Sequence, residues 1–220
     1  MEVCSMYVIA FNGSPRKDGT TATLLKKSLE GAASQGAETE FIQLNRLRMK
    51  GCQACFECKK RGGKSYGKCN LKDDMTPLYQ RIERSDALFI GSPIYFGDVT
   101  SSTRMFIERL FPYFNYRDYS SNFPKKINTG FIYTMGVDDQ QASMFAQIIQ
   151  LHEGLFSFFF GSCETMLSTD TLHVEDYSKI VADMLEKSAD RKLKHWKEVF
   201  PKDCDKAFEM GTRFGQRIAK

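Results

Sequence analysis

The chain has 220 residues, 42% of them hydrophobic, which suits one well-cored domain spanning residues 1–220. Lys and Arg number 31 against 27 Asp and Glu, and this net charge of +4 is spread too thinly to act as a nucleic-acid footprint. The longest apolar run, near residues 155–160, falls far short of the roughly 20 residues that cross a bilayer, so no membrane partner is expected.

Residues 1–10 are apolar but include Glu2 and no basic stretch, so they read as a core strand rather than a signal peptide, and the chain reads as cytoplasmic. In a reducing compartment, seven cysteines point to burial, metal binding or redox chemistry rather than a disulfide framework. Cys4, Cys163 and Cys204 are scattered, whereas Cys52, Cys55, Cys58 and Cys69 fall within eighteen residues, so only the second group suggests a site.

The unbroken apolar run at residues 6–11, ended by Asn-Gly-Ser-Pro, predicts a strand buried on both faces, as in a parallel sheet. Ala22, Leu25, Leu29 and Ala33 then recur at helical spacing, with Thr21 placed as an N-cap. A weaker strand follows at 39–44, and a helix from Met75 carries Leu78, Tyr79 and Ile82 on the same face, with Asp73 and Asp74 as its caps. A strand at 87–90 leads to a helix marked by Thr103, Phe106, Ile107 and Leu110. The tyrosine- and phenylalanine-rich stretch 111–126 is long for a connection and reads as a lid or interface. A strand at 127–134, a helix over 140–160 and a strand at 164–169 complete the alternation, before a helical extension over about 174–220. Five strands alternating with helices predict a doubly wound α/β fold with helices on both faces of a parallel sheet.

In such a fold the loop after the first strand is where phosphate-bearing ligands bind. Gly13-Ser14-Pro15-Arg16-Lys17-Asp18-Gly19-Thr20-Thr21 gathers hydroxyls, a guanidinium and free backbone N–H groups at a helix N-terminus. It lacks the triphosphate and dinucleotide glycine patterns, so a monophosphate suits it better. The same residues also suit a plain Gly/Pro turn. Ser92-Pro93-Ile94-Tyr95-Phe96-Gly97 leaves the same sheet edge and offers an aromatic wall with backbone donors, which fits a flat ring or, equally, core aromatics closing the edge.

Gly-Ser-Pro-Arg-x-x-Gly-x-Thr, Gly-Cys-x-x-Cys-x-x-Cys, Asp-Asp-Met and Gly-Ser-Pro-Ile-Tyr-Phe, in that order over residues 5–135, resemble the NADPH-dependent FMN reductase superfamily, and in particular its iron-sulfur flavoprotein branch. The resemblance implies a flavodoxin-like five-stranded parallel sheet of order 2-1-3-4-5 with FMN at its switch point. It implies that Ser14, Arg16, Thr20 and Thr21 hold the phosphate and that Pro93, Ile94, Tyr95, Phe96 and Gly97 contact the isoalloxazine. Thr134, Met135 and Gly136 look like a third flavin loop. A homodimer or homotetramer with flavin near a subunit interface is implied in the same way.

Cys52, Cys55 and Cys58 supply three thiols in one compact loop, and Cys69 closes a fourth corner after a ten-residue excursion within residues 51–74. The spacing suits a [4Fe-4S] cluster, which the similar flavoproteins carry, although the last gap is longer than theirs. Free or reversibly oxidised thiols and a four-cysteine zinc site are the other readings. Lys59, Lys60, Arg61 and Lys64 read as a solvated loop, or as a dock for an acidic donor or the extra phosphate of NADPH. His152, His173 and His195 show no ligand spacing and read as structural or surface residues. Three functions compete. The first is an FMN-dependent NAD(P)H oxidoreductase passing electrons to a quinone, flavin or similar acceptor, with no protein acid or base required. The second is an iron-sulfur flavoprotein carrier exchanging electrons with a ferredoxin-like partner, and the third is a flavin-free binding module.

Overall fold

The computed structural model describes residues 5–181 and 183–216. Cys4, the start of the expected N-terminal strand and the end of the C-terminal extension lie outside the described residues. The first apolar run forms β1 (Tyr7–Asn12), buried along its whole length. Tyr7, Ile9 and Phe11 enter one core, while Val8 and Ala10 enter the other. A strand covered on both faces belongs inside the sheet. Accordingly, β1 pairs in parallel with β2 (Glu38–Gln43) on one side and β3 (Ala87–Tyr95) on the other. β3 turns back through the two-residue β4 (Asp98–Val99), and β5 (Ile127–Thr134) and β6 (Gly161–Ser168) extend the sheet. The order β2-β1-β3-β5-β6, all parallel, is the expected 2-1-3-4-5 arrangement with a short hairpin strand added.

On one face lie α2 (Met75–Arg84), α3 (Ser101–Glu108) and α5 (Ala146–Phe160), whose Leu78, Ile82, Phe106, Ile107, Phe156 and Phe160 fill the larger core. The other face is covered by α1 (Thr20–Ser34) and α8 (Phe200–Gly215) through Leu24, Leu25, Leu29, Met210 and Phe214. Before α5 comes the short α4 (Asp139–Ala142), and before α8 come α6 (Asp183–Glu186) and α7 (Ala189–Glu198).

Several local expectations change. Thr21 does not cap α1: the helix starts at Thr20 after Gly19, and Ala33 is exposed. Ser92 to Tyr95 belong to β3 rather than to a loop. β1 pairs only as far as Gly91, so beyond it β3 keeps a single main neighbour, and Pro93 is tolerated as on an edge strand. The helix expected over 140–160 is broken by a 3-10 turn over Ser143–Phe145, and β6 begins at Gly161, earlier than expected. Among the described residues, no helix is long and apolar enough to cross a membrane.

The α1–α8 contact depends on small residues. A Cβ on Gly211 would overlap the Ser28 carbonyl, and one on Gly31 would overlap the Phe208 carbonyl. Alanine gains about 1 kcal/mol over glycine inside a helix, but here it would have to push two backbones apart. Gly211→Ala should therefore lower stability by about 1–3 kcal/mol in urea denaturation, as an overpacked core does. A stabilised variant would show that the helices separate freely.

Candidate functional site

β1, β3, β5 and β6 all end at one edge, and their loops surround a cleft of about 290 Å³. The first loop is held rigidly at its base. Gly13 N–H donates to the Gly91 carbonyl at 2.8 Å, and Thr100 Oγ1 donates to the Gly13 carbonyl at 2.7 Å. A Cβ on Gly13 would strike the Thr103 hydroxyl, so only glycine fits between β3 and α3. Asn12 accepts from Ser14 N–H through Oδ1 at 3.1 Å and donates through Nδ2 to the Arg16 carbonyl at 3.2 Å. Ser14 Oγ in turn accepts from Arg16 N–H at 3.2 Å. The loop therefore delivers its chain to Gly19, where α1 begins with no side-chain cap. The first N–H groups of a helix have no partner within it and carry partial positive charge. With Arg16 alongside and no carboxylate among the lining residues, this corner favours a dianion.

The second wall is the β3–β4 hairpin. Phe96 at φ 52° and Gly97 at φ 91° make the two-residue turn that joins Tyr95 to Asp98. Phe96 is fully exposed at the tip and Tyr95 is half exposed, so both rings are presented rather than buried as core aromatics. The third wall is Thr134, Met135 and Gly136, where the Thr134 hydroxyl is 2.7 Å from that of Thr21, tying β5 to α1.

Eleven of the twelve residues expected around flavin line this cleft: Ser14, Arg16, Thr20, Thr21, Pro93, Ile94, Tyr95, Phe96, Thr134, Met135 and Gly136. Gly97 is the exception, because it serves the turn. Gly19, named within the phosphate loop but given no contact, lines it too, and sequence reasoning missed Thr171, Leu172 and His173. The last three follow β6, the final strand to reach that edge, and this position was the signal available for them.

His173 is therefore more than a surface residue. It packs across Gly136, and both its backbone N–H and its Nδ1 lie 3.2 Å from the Tyr177 hydroxyl. Burial pushes its imidazole below the ordinary histidine range, the charges of Lys192 and Arg16 push the same way, and Asp170 opposes them, which on balance favours the neutral form. Fully buried Lys192 on α7 donates to the Gly136 carbonyl and to Asp170 Oδ1, the latter at 2.8 Å, fastening the third wall to the loop after β6. His152 keeps its structural role, buried and stacked on Phe131.

The four clustered cysteines ring a separate pocket with Phe56, Leu71, Glu108, Arg109, Phe111 and Pro112. Ala54 and Phe56 have positive φ, which coils the backbone so that Cys52, Cys55 and Cys58 face one space. The ten-residue excursion folds back through a Gly67 N–H to Cys58 carbonyl bond of 2.9 Å, bringing Cys69 to the same space. Lys59 is not solvated: its ammonium donates to the Phe111, Pro112 and Phe114 carbonyls, which clamps the aromatic stretch onto the cysteine loop. Burial pushes the Cys58 thiol up; Lys59 counters this, and the other three cysteines add to it.

Among the described residues, no three potential ligands stand at the spacing that holds a single metal ion. The donor set nevertheless suits a polynuclear cluster, since four sulfurs share one pocket and cationic iron would bind them as thiolates. Arg109 supplies a second fit. Its side chain is 1% exposed, it grips Asp73 through Nη1 and Nη2 at 2.5 and 3.1 Å, its Nε–H has no partner among the described residues, and the residue lines the cysteine pocket. A buried guanidinium in the lining of a four-sulfur pocket is suited to an anionic cluster. Asp73 is thus an ion-pair partner that also accepts from Met75 N–H, whereas Asp74, the N-cap residue of α2, makes no side-chain cap and accepts from Arg48 N–H at 2.7 Å instead.

Parallel strands in this order, with a phosphate-type cleft at the switch between β1 and β3, define a flavodoxin-like protein. The chain belongs to the NADPH-dependent FMN reductase family, whose model matches residues 6–171. An iron-sulfur flavoprotein of Methanocaldococcus jannaschii is 36% identical over 107 residues, which are 49% of this chain and 53% of that protein. The chain spans about half the length of the curated relatives it matches. Among solved structures, an NAD(P)H:quinone oxidoreductase from Methanothermobacter marburgensis has a TM-score of 0.69 at 15% identity, covering 95% of this chain and 98% of that one. An FMN-dependent NADH-azoreductase from Bacillus anthracis, in complex with FMN, has a TM-score of 0.64 at 12% identity, covering 96% and 100%.

Proposed function

We propose that residues 1–220 form one FMN-dependent domain that oxidises NAD(P)H and passes the electrons to a quinone, flavin or similar small acceptor in the cytoplasm. The observation that carries this reading is the convergence of four loops on one carboxylate-free cleft above an uncapped helix N-terminus. Bound FMN would supply hydride acceptance and electron transfer. Ser14, Arg16, Thr20 and Thr21 hold its phosphate end, and backbone from Pro93 to Phe96 and from Thr134 to Gly136 faces the ring. His173 closes the cleft where burial favours its neutral form. The fully exposed Phe96 favours a homodimer or homotetramer in which a second subunit covers the flavin.

Cys52, Cys55, Cys58 and Cys69 would hold a [4Fe-4S] cluster, and the Arg109 guanidinium in the same lining would offset its negative charge. This pocket favours a second reading, an electron carrier working with a ferredoxin-like partner. α3 follows Thr100, which holds the base of the phosphate loop through the Gly13 carbonyl, and ends at Glu108, which lines the cysteine pocket, so one helix runs between the two regions.

One anaerobic preparation tests both readings. A flavin spectrum, about four irons per chain and rapid bleaching by NADPH or NADH are expected, with iron lost in Cys55→Ser. Reduction by ferredoxin but not by NAD(P)H would leave the carrier. Stoichiometric zinc would reject the iron cluster, and a folded chain that ignores micromolar FMN would reject the flavin reading itself.

A further inference from the structure

A second cavity, of about 560 Å³, opens on the other side of the phosphate loop. Arg16, Gly19, Thr20 and Leu172 line both this cavity and the flavin cleft, so the two adjoin across a common wall. Trp196 on α7, the only tryptophan of the chain, lines the second cavity. Its indole is stacked on Phe200 with centroids 4.1 Å apart and planes at 11°, which holds the ring in place. Leu172 and Val174 add apolar surface, Lys17 joins Arg16 as a cation, and Asp18 and Glu175 are the two carboxylates of the lining, Asp18 lying 3.0 Å from the Lys26 ammonium and 3.8 Å from that of Lys17.

With Asp18 engaged by Lys26, a flat indole, aliphatic side chains, two cations and the Glu175 carboxylate together match a purine base with a phosphate on its ribose. The base stacks, its exocyclic amine meets the carboxylate, and the phosphate meets Arg16 and Lys17. The volume lies within the range of small-molecule sites. We propose that this cavity is an adenylate subsite: it binds the AMP half of a dinucleotide whose other half lies in the adjoining cleft. That half could come from FAD, whose flavin would take the place of FMN, or from NAD(P)H bound beside FMN. Trp196 lies outside the residues matched by the family model, so the α7 segment of this chain supplies the subsite's aromatic wall. The inference rests on the flavin reading of the cleft.

The test uses the full chain. 5′-AMP, which carries no flavin, should quench Trp196 fluorescence saturably, with or without FMN present. Calorimetry should then separate the two sources. FAD binding at least about tenfold tighter than FMN, a difference abolished in Trp196→Ala while FMN affinity stays the same, identifies FAD. Competition between NADP⁺ and 5′-AMP on the FMN-loaded chain, also weakened about tenfold in Trp196→Ala, identifies the pyridine nucleotide. Lys17→Gln, a change at an exposed position, should weaken 5′-AMP and leave riboflavin binding as it was, and so covers the case in which Trp196→Ala does not fold. If FMN binds but 5′-AMP neither quenches Trp196 nor competes with any dinucleotide, the subsite is overturned and the flavin reading stands. If no flavin binds either, both fall.

Discussion

Replacing Arg109 with Met should lower the unfolding free energy by about 3–5 kcal/mol in urea denaturation, because it strands a buried carboxylate. Arg109 is 1% exposed and Asp73 is 15% exposed, and the guanidinium holds that carboxylate bidentately while Nη1 also donates to the Lys50 carbonyl at 2.9 Å. The Arg109 carbonyl accepts from the Tyr79 hydroxyl at 2.7 Å, so α2, the end of α3 and the start of the cysteine loop meet at this one residue. Removing both charges in Arg109→Met/Asp73→Leu should restore most of the loss, since a well-packed apolar pair often replaces a buried ion pair without penalty. A single-variant loss below about 1 kcal/mol would contradict this account.

The pair also sets an acid dependence. Burial alone would push the Asp73 carboxyl up, but the hydrogen bonds and charge of Arg109, with backbone N–H groups of Lys50 and Met75, hold it below the usual carboxylate range. A carboxyl depressed in the folded state stabilises the fold above its unfolded value of about 3.9, and that contribution fades as pH falls through the folded value. The gap between the natural chain and Arg109→Met should therefore be full at pH 6 and should shrink below about pH 4. A gap that widens in acid would place the stabilisation elsewhere.

The second large effect is expected at Thr20. An aspartate there sits in the first turn of α1, which has no acidic residue and no side-chain cap, so helix and fold should gain about 0.3–1 kcal/mol. The same carboxylate occupies the corner proposed for the flavin phosphate. Juxtaposed like charges cost several kcal/mol, and each 1.4 kcal/mol is a factor of about ten in affinity. Thr20→Asp should therefore weaken FMN at least about 100-fold while slightly raising the melting temperature and leaving riboflavin binding unchanged. Equal losses for FMN and riboflavin would mean that the phosphate does not sit at this helix.

The strands were legible because parallel-sheet strands here are short apolar runs bounded by turn residues. The run before Asn12 and the run at residues 127–134 became β1 and β5 almost residue for residue. Pro93 misled for a local reason. It reads as a strand end, yet β3 continues through it, because β1 stops pairing at Gly91 and frees one edge of β3. The cleft was legible in three of its four walls, since each follows a strand with a recognisable loop. The fourth, around His173, had only its place after β6 as a signal, and no motif near it marks a contact with Gly136.

By itself the sequence determined the alternation of strands and helices, the loops that reach one sheet edge and the four cysteines that share a pocket, because these depend on local periodicity and short spacings. Only the tertiary structure decided the rest. It paired Arg109 with Asp73, brought Lys59 to three carbonyls of the aromatic stretch and set Lys192 and Trp196 of α7 against loops far away in the chain. Those contacts join residues 20 to 180 positions apart. Their partners are selected by which surfaces the packed sheet leaves facing each other, which no run of neighbouring residues encodes.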